Sequence, residues 1–420
     1  MLSLEGIALS KFMTKMTSKR DNRVRVVGHP FAPIGMGEHV RSAWRALREA
    51  GSDPMIVDIY GPQGTLDLEF KVQFSSSITA NLGNGVNIFC INGDEIAQAL
   101  QVLATRNLMA SGSRNVIYPA WELERYPSEW ARQLERFDEV WAPSEFIRGA
   151  IAKEVDIPVL HMPLACEVGR RALLGRRYFG IRETAYTFLF SFDFLSYLER
   201  KNPFAVIEAF HALTDARPYD DVALIIKTNN SNRCPEMKQR FEAAIAPLRN
   251  RVVVIDRTLP DLEMKSLMWL SDCFVSLHRS EGFGRGISEA MALGKPVIAT
   301  AYSGNMDFCN EQNAFLVPYS LIEVGFNDYP HWESQHWADP DIEAATRYMA
   351  RLLDDPQLGR QIGARARQEL LAKFGYFPIG RLYEERVTAL ATDNHSKPCP
   401  SSQPPTMYNA LKLEDSNVSM

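Results

Sequence analysis

The chemistry-bearing part of this sequence is concentrated in Leu277-His278-Arg279-Ser280-Glu281-Gly282-Phe283-Gly284-Arg285-Gly286-Ile287-Ser288-Glu289-Ala290-Met291-Ala292-Leu293-Gly294. This run follows a short apolar segment, Cys273 to Leu277, and leads into a predicted helix that stops at Gly294. Its glycines let backbone N–H groups approach an anion, and a helix N-terminus adds partial positive charge. A phosphate is the natural occupant. Glu281 precedes the helix and Glu289 lies within it, eight residues on. A carboxylate accepts paired hydrogen bonds from vicinal hydroxyls. Two carboxylates flanking a phosphate site suit a ligand with a sugar on each side of a diphosphate, which is a nucleotide sugar. A strand–turn–helix with solvated carboxylates would account for the same residues if nothing else supported a site. Lys227 is a further candidate, because it closes the apolar run from Val222 at its carboxyl end, the end at which parallel sheets bind ligands.

The elements that must position these residues alternate. Arg23 to Gly28 predicts a strand, His29 to Gly37 a loop rich in Gly and Pro, Glu38 to Ala50 an amphipathic helix stopped by Gly51, and Met55 to Tyr60 a second strand. That is the opening of a parallel α/β unit. Strand-length apolar runs recur at 86–91, 115–118, 139–142 and 158–161, and Ser144 is an expected N-cap for a helix through Lys153. After an Arg- and Gly-rich linker, Cys166 to Glu183, a second series begins at Tyr186. Its predicted strands are 186–192, 222–228, 252–256, 273–277, 296–300 and 314–318. Helices are predicted at Pro203 to Leu213, Asp339 to Asp354, Pro356 to Phe374 and Ile379 to Leu390. Ligands of such sheets sit outside the strands' carboxyl ends, so the cleft between two such halves is the expected site.

Composition agrees with a folded protein of this size. The chain has 420 residues, 46% hydrophobic and 23% charged, which excludes a mainly disordered chain, a collagen-like repeat and a small disulfide scaffold. Lys plus Arg is 46 against 51 Asp plus Glu, so there is no overall basic excess of the kind nucleic-acid binders carry. No two of the six cysteines lie within three residues of each other. That excludes a CxxC motif and predicts buried small hydrophobes in a reducing, cytoplasmic compartment. No apolar stretch reaches the roughly 18 residues a spanning helix requires. His331 and His336 lack the spacing of a zinc-binding His pair, and Asp339-Pro340-Asp341 reads as a helix N-terminus rather than a metal motif.

The run from Leu277 to Thr300 resembles the signature of retaining GT-B-fold glycosyltransferases, glycosyltransferase family 4 (group 1). That pattern is Glu, seven residues, Glu, with Gly-Phe-Gly after the first and Glu-Ala-Met-Ala-Leu-Gly-Lys-Pro around the second. Glu199-Arg200-Lys201-Asn202-Pro203 resembles a second segment of the same family, and Gly35-Met36-Gly37-Glu38-His39-Val40 its N-terminal glycine loop. The resemblance extends from about Arg23 to Leu390. It implies an α/β fold of the GT-B type, two doubly wound Rossmann-like domains facing a central cleft. The expected division is 1–22 as an N-terminal extension, 23–165 as the acceptor domain and 166–183 as linker. Residues 184–374 would form the nucleotide-sugar domain, 375–391 a helix returning to the N-terminal domain, and 392–420 a disordered tail containing the Pro/Ser tract from Lys397 to Thr406.

The resemblance also implies roles. Glu281 would contact donor sugar hydroxyls, Glu289 the ribose, and Lys201 the leaving diphosphate with Arg200 as auxiliary cation. Gly282, Phe283, Gly284 and Arg285 would lie along the sugar and diphosphate, Gly35 and Gly37 would face them across the cleft, and Leu259 would lie near the base. Relatives carry an Arg just after the preceding strand, where this chain has Ser191-Phe192-Asp193; Arg200 or Lys227 is then the candidate second cation. The family's N-terminal catalytic-site His is also missing from Asn115 to Pro127. The Trp121-Glu122-Leu123-Glu124-Arg125-Tyr126-Pro127 run resembles a subgroup from bacterial surface-polysaccharide clusters, which makes Trp121 and Glu122 acceptor-site candidates, with a core Trp and a solvated Glu as the alternative. The implied activity is a retaining hexosyl transfer from a nucleotide sugar to a glycan or lipid-linked acceptor, with no nucleic-acid partner and no essential metal. A lipid-linked acceptor would bring peripheral contact with the inner face of the plasma membrane. A degenerate GT-B protein that binds without turnover, or a GT-B phosphorylase or epimerase, stays open as an alternative.

Overall fold

The structure, a computed structural model, describes residues 22–61, 68–106, 108 and 112–392. The expected extension and tail fall almost wholly outside these residues. The first half runs β1 (Arg25–Gly28), α1 (Gly35–Glu49), β2 (Met55–Asp58), α2 (Leu68–Phe74), β3 (Val86–Phe89), α3 (Ile96–Thr105), β4 (Arg114–Ile117), α4 (Ser128–Leu134), β5 (Glu139–Ala142), α5 (Glu145–Ile151) and β6 (Val159–His161). Its six strands form one parallel sheet in the order β2-β1-β3-β4-β5-β6. Strands β1, β3, β4 and β5 are buried along their whole length, as parallel strands covered on both faces must be.

The second half runs β7 (Tyr186–Ser191), α6 (Leu198–Lys201), α7 (Pro203–Ala216), β8 (Val222–Thr228), α8 (Pro235–Ile245), β9 (Val252–Asp256), α9 (Asp261–Leu270), β10 (Cys273–Ser276), α10 (Arg285–Ala292), β11 (Val297–Thr300) and β12 (Phe315–Val317). These strands make a second parallel sheet, β12-β11-β10-β7-β8-β9. Each sheet reverses its order once, between β1 and β3 in the first and between β7 and β10 in the second. Such reversals open a crevice at the carboxyl ends of the strands.

Two features depart from the sequence expectations. Helix α1 begins at Gly35, so the glycine loop is its first turn. Residues 319–340 form an antiparallel hairpin, β13 (Tyr319–Glu323) and β14 (His336–Pro340), and the helix expected from Asp339 starts at Ile342 as α11 (Ile342–Asp354). Asp341 caps it, its carboxylate accepting from the Ala344 N–H at 2.9 Å. The hairpin tip reaches the other half of the molecule: Val324, Tyr329 and Trp337 belong to the same apolar cluster as Trp121 and Tyr126.

The chain ends in α12 (Pro356–Phe374) and α13 (Tyr376–Thr392). Helix α13 lies on α1, where Gly380 leaves no room for a side chain against the Ala46 carbonyl. Tyr383 donates to the Pro163 carbonyl at 2.6 Å and shares a 2.8 Å hydrogen bond with the Tyr118 hydroxyl. Arg386 grips Glu139, a carboxylate 1% exposed, through Nε at 3.0 and 3.1 Å. An unpaired carboxylate at that depth would cost several kcal/mol, so Arg386 fixes the register of α13 on the first sheet.

Candidate active site

The carboxyl ends of both sheets face one cleft of about 710 Å³. From the first half come Gly35, Glu38 and His39 of α1, Asn92 and Asp94 after β3, and Trp121 and Glu122 after β4. From the second come Ser196, Tyr197, Arg200 and Lys201 after β7, Lys227 after β8, Leu259 after β9, and Glu281 to Arg285 with Glu289 after β10.

Helix α10 starts as its sequence requires. Gly284 caps it with φ +91°, a conformation glycine adopts without steric cost. Gly282 is needed for closeness: a Cβ there would stand 2.7 Å from the Trp121 carbonyl oxygen of the other half. The Gly282 carbonyl accepts from the Ser144 hydroxyl at 2.6 Å, and Ser144 Oγ also accepts from the Ile147 N–H at 3.2 Å as the cap of α5. One serine thus caps a helix and ties the glycine turn to the first half.

Beside that turn Glu281 meets two cations. Lys201 Nζ donates to Oε1 at 2.5 Å, and Arg200 Nη1 lies 3.6 Å from Oε2. Burial pushes the Glu281 carboxyl up, but Lys201 and Arg200 outweigh it and hold the group at about 2. Burial lowers the Lys201 ammonium, with Glu281 working against the shift. Arg200 is buried and committed: Nη1 donates to the Ser280 carbonyl at 3.0 Å, Nη2 to the Ser196 carbonyl at 3.4 Å, and Glu122 lies 3.8 Å away. It organises Glu281 and Glu122, while its Nε is buried without a hydrogen-bond partner among the described residues.

Lys227 is also buried, contrary to the solvated lysine that is usual at a strand end. Its Nζ donates to the Thr228 carbonyl at 2.9 Å and to Asn229 Oδ1 at 2.8 Å, and burial lowers it to about 8. Arg285 differs. It opens α10, and its Nη2 is buried without a hydrogen-bond partner among the described residues. An unpaired buried guanidinium nitrogen at a helix N-terminus is a position prepared for an anion.

Two expected site residues are placed otherwise. Gly37 does not line the cleft; it is packed against the Ala32 and His29 carbonyls inside the α1 turn. Trp121 touches the cleft but is 2% exposed, with Nε1 donating to the Arg125 carbonyl at 2.9 Å and its ring enclosed by Tyr126, Trp130 and Tyr329. It has no open face for a sugar. Glu122 remains at the cleft, hydrogen-bonded by the Tyr329 hydroxyl.

Four residues escaped the sequence reading. Lys265 of α9 pairs with Glu289 at 2.6 Å and Asp261 at 3.6 Å; burial opposes its charge, but these carboxylates outweigh it and raise it. His39 is 2% exposed with Nε2 unpartnered among the described residues, and burial, then the Arg285 charge, keeps it neutral. His39 was visible next to Glu38 in the glycine motif; Lys265 had no motif at all. Tyr197 and Tyr329 line the cleft as well, and neither stands in a recognisable pattern. Among the described residues no group of three or more His, Cys, Asp or Glu could hold a metal ion, and no helix is long and apolar enough to cross a membrane.

Two parallel sheets meeting at their carboxyl ends, with a returning C-terminal helix, make this the GT-B glycosyltransferase fold. Residues 187–323 match the family model of Glycosyl transferases group 1. Solved structures share the architecture over nearly their full length. HepE of Anabaena, solved in complex with UDP and glucose, superposes with a TM-score of 0.63 at 14% identity, covering 87% of this chain and 99% of its own. A glycosyltransferase of Rickettsia africae gives 0.63 at 16%, covering 89% and 100%. Sucrose-phosphate synthase of Thermosynechococcus elongatus gives 0.60 at 16%, covering 88% and 100%. No curated protein matches the sequence.

Proposed function

We propose that this protein is a retaining glycosyltransferase that moves a hexosyl group from a nucleotide sugar to a hydroxyl of a glycan or glycolipid, in surface-polysaccharide synthesis. The observation that carries this reading is the Glu281–Lys201 pair at 2.5 Å beside the α10 N-terminus, where Arg285 Nη2 lacks a partner among the described residues. The family match over this half and the UDP complex of a structural neighbour support it.

In this reading the ribose hydroxyls bond to Glu289, which Lys265 holds in place. The base lies near Leu259. The diphosphate lies over the glycine turn, with Gly35 opposite and Lys201, Arg285 and Lys227 around it. The bond between the anomeric carbon and the phosphate oxygen breaks, and its electron pair leaves with the diphosphate. The developing negative charge is what Lys201 and Arg285 stabilise. The acceptor oxygen attacks the same face, and its proton passes to a leaving phosphate oxygen. Neutralisation by lysine and arginine makes a metal unnecessary. Glu281, held ionised by Lys201 and Arg200, bonds the donor sugar hydroxyls and fixes the anomeric centre.

Thermal shift against a panel of nucleoside diphosphates and their sugars tests this. A ligand at ~100 times its dissociation constant adds about 2.7 kcal/mol. The expected result is a shift with one base, weakened in Glu289→Ala, and turnover lost in Lys201→Ala. No shift with any member, or both variants unchanged in binding and turnover, refutes the reading.

A further inference from the structure

Tyr197 is the residue in the cleft whose placement nothing above explains. Its φ is +59° and ψ +92°, a conformation costly for a bulky non-glycine residue and kept where surrounding structure enforces it, often at functional sites. Here the enforcement is visible. The Tyr197 carbonyl accepts from the N–H groups of Arg200 at 3.0 Å and Lys201 at 3.2 Å, so it starts the short helix that carries both cations. The same backbone twist presents its ring to the cleft, 43% exposed.

The ring is backed rather than loose. Tyr329, from the tip of the β13–β14 hairpin, packs against it with centroids 4.7 Å apart at 58°. Tyr329 is itself buried, donates its hydroxyl to Glu122 and contacts Trp121 at 5.5 Å. The tip is pinned to the first half: Gln335 Oε1 accepts from the Arg125 N–H at 3.0 Å, and Gln335 Nε2 donates to the Arg125 carbonyl at 3.1 Å. Asp94, exposed in the loop after β3, and Glu122 line the same cleft as Tyr197, and burial, then these two carboxylates, raises its hydroxyl pKa. The result is a half-open aromatic face in the cleft that also holds the Asp94 and Glu122 carboxylates and the Glu281–Lys201 pair.

We infer that Tyr197, rather than Trp121, is the stacking platform of the acceptor subsite, and that it takes a pyranosyl ring whose hydroxyls bond to the Asp94 carboxylate. An aromatic face matches the C–H face of a sugar ring, and a carboxylate matches its hydroxyl edge. Tyr197 and the Tyr329 that backs it come from the second half and Asp94 from the first, so the subsite is shared between the two halves of the chain. This rests on the glycosyltransferase reading for the name acceptor, but not for the presence of a sugar site.

The test is saturation-transfer NMR on the full chain with methyl pyranosides of glucose, galactose, mannose and N-acetylglucosamine, with and without nucleoside diphosphates. At least one glycoside should receive saturation on its ring protons in the wild type and in Tyr197→Phe. Tyr197→Ala and Asp94→Asn should weaken that binding about tenfold. The thermal shift by nucleoside diphosphate should be the same in all four proteins, which also shows that the variants fold. Equal saturation in Tyr197→Ala, or none with any glycoside in the wild type, overturns the proposal. Glycoside binding that depends on Tyr197, without a shift by any diphosphate, upholds the sugar site and overturns the donor reading instead.

Discussion

Lys201 Nζ and Glu281 Oε1 stand 2.5 Å apart although 80 residues separate them, with Arg200 Nη1 3.6 Å from the other carboxylate oxygen. Removing one member of a buried pair leaves the other charge uncompensated. Lys201→Ala should therefore lower turnover by about 10²–10³, the scale of a lost charge-stabilising donor, while nucleoside diphosphate binding changes far less. Lys201→Arg would not restore activity, since a planar fork cannot replace a compact ammonium at that distance. Steady-state kinetics beside thermal shifts separate the two effects.

Arg285 should matter for the diphosphate and not for the nucleoside. A charge-assisted hydrogen bond is worth about 1.5–3 kcal/mol, so Arg285→Ala should weaken nucleoside diphosphate binding at least tenfold and leave the free nucleoside unaffected. Calorimetry on the two ligands measures this. Equal losses for both would mean that Arg285 shapes the cleft without touching phosphate.

Lys227 gives the site a pH dependence. Burial lowers its ammonium to about 8, so the cation is present below that pH and lost above it. A bound diphosphate favours the cation, so binding takes up a proton and affinity should fall as pH rises above about 8, approaching tenfold per unit. In the free protein the unfolded chain holds the proton longer, so this lysine makes the fold more stable as pH rises from about 8 towards its ordinary 10.5. Lys227→Met should flatten both slopes. Titration calorimetry in buffers of different ionisation enthalpy counts the proton.

Gly282 tests the contact between the halves. A methyl group there meets the Trp121 carbonyl at 2.7 Å and Ile147 Cδ1 at 3.2 Å. Gly282→Ala should push the halves apart, strain the Ser144 hydrogen bond and lower turnover more than ligand binding. Gly175→Ala in the linker meets nothing within 4 Å and should be neutral or slightly stabilising, by about 0.4–1 kcal/mol. Kinetics and melting curves on the two variants distinguish a closure defect from a general glycine effect.

Most of this architecture was legible in the sequence because parallel strands buried on both faces read as continuous apolar runs, and because Glu281, the glycine turn and Glu289 lie in one segment. The hairpin was not legible. Residues 319–340 mix Trp, His, Asp and Gly without either period, and their strands are stabilised by each other and by the far half of the chain. Trp121 misled for a related reason: an aromatic beside a Glu in a loop signals sugar stacking, but Tyr126, Trp130 and Tyr329 enclose it. Lys265 was invisible because its partner, Glu289, is 24 positions away on another helix.

Helix α13 makes the chain cross between the halves twice, once near Cys166 and again after Phe374, and the two crossings touch: the Cys166 N–H donates to the Phe374 carbonyl at 2.7 Å. Two adjacent cords tied together act as a door hinge rather than a tether, restricting opening to rotation about one line. A single cut in the exposed linker would then leave both leaves still hung on the same frame.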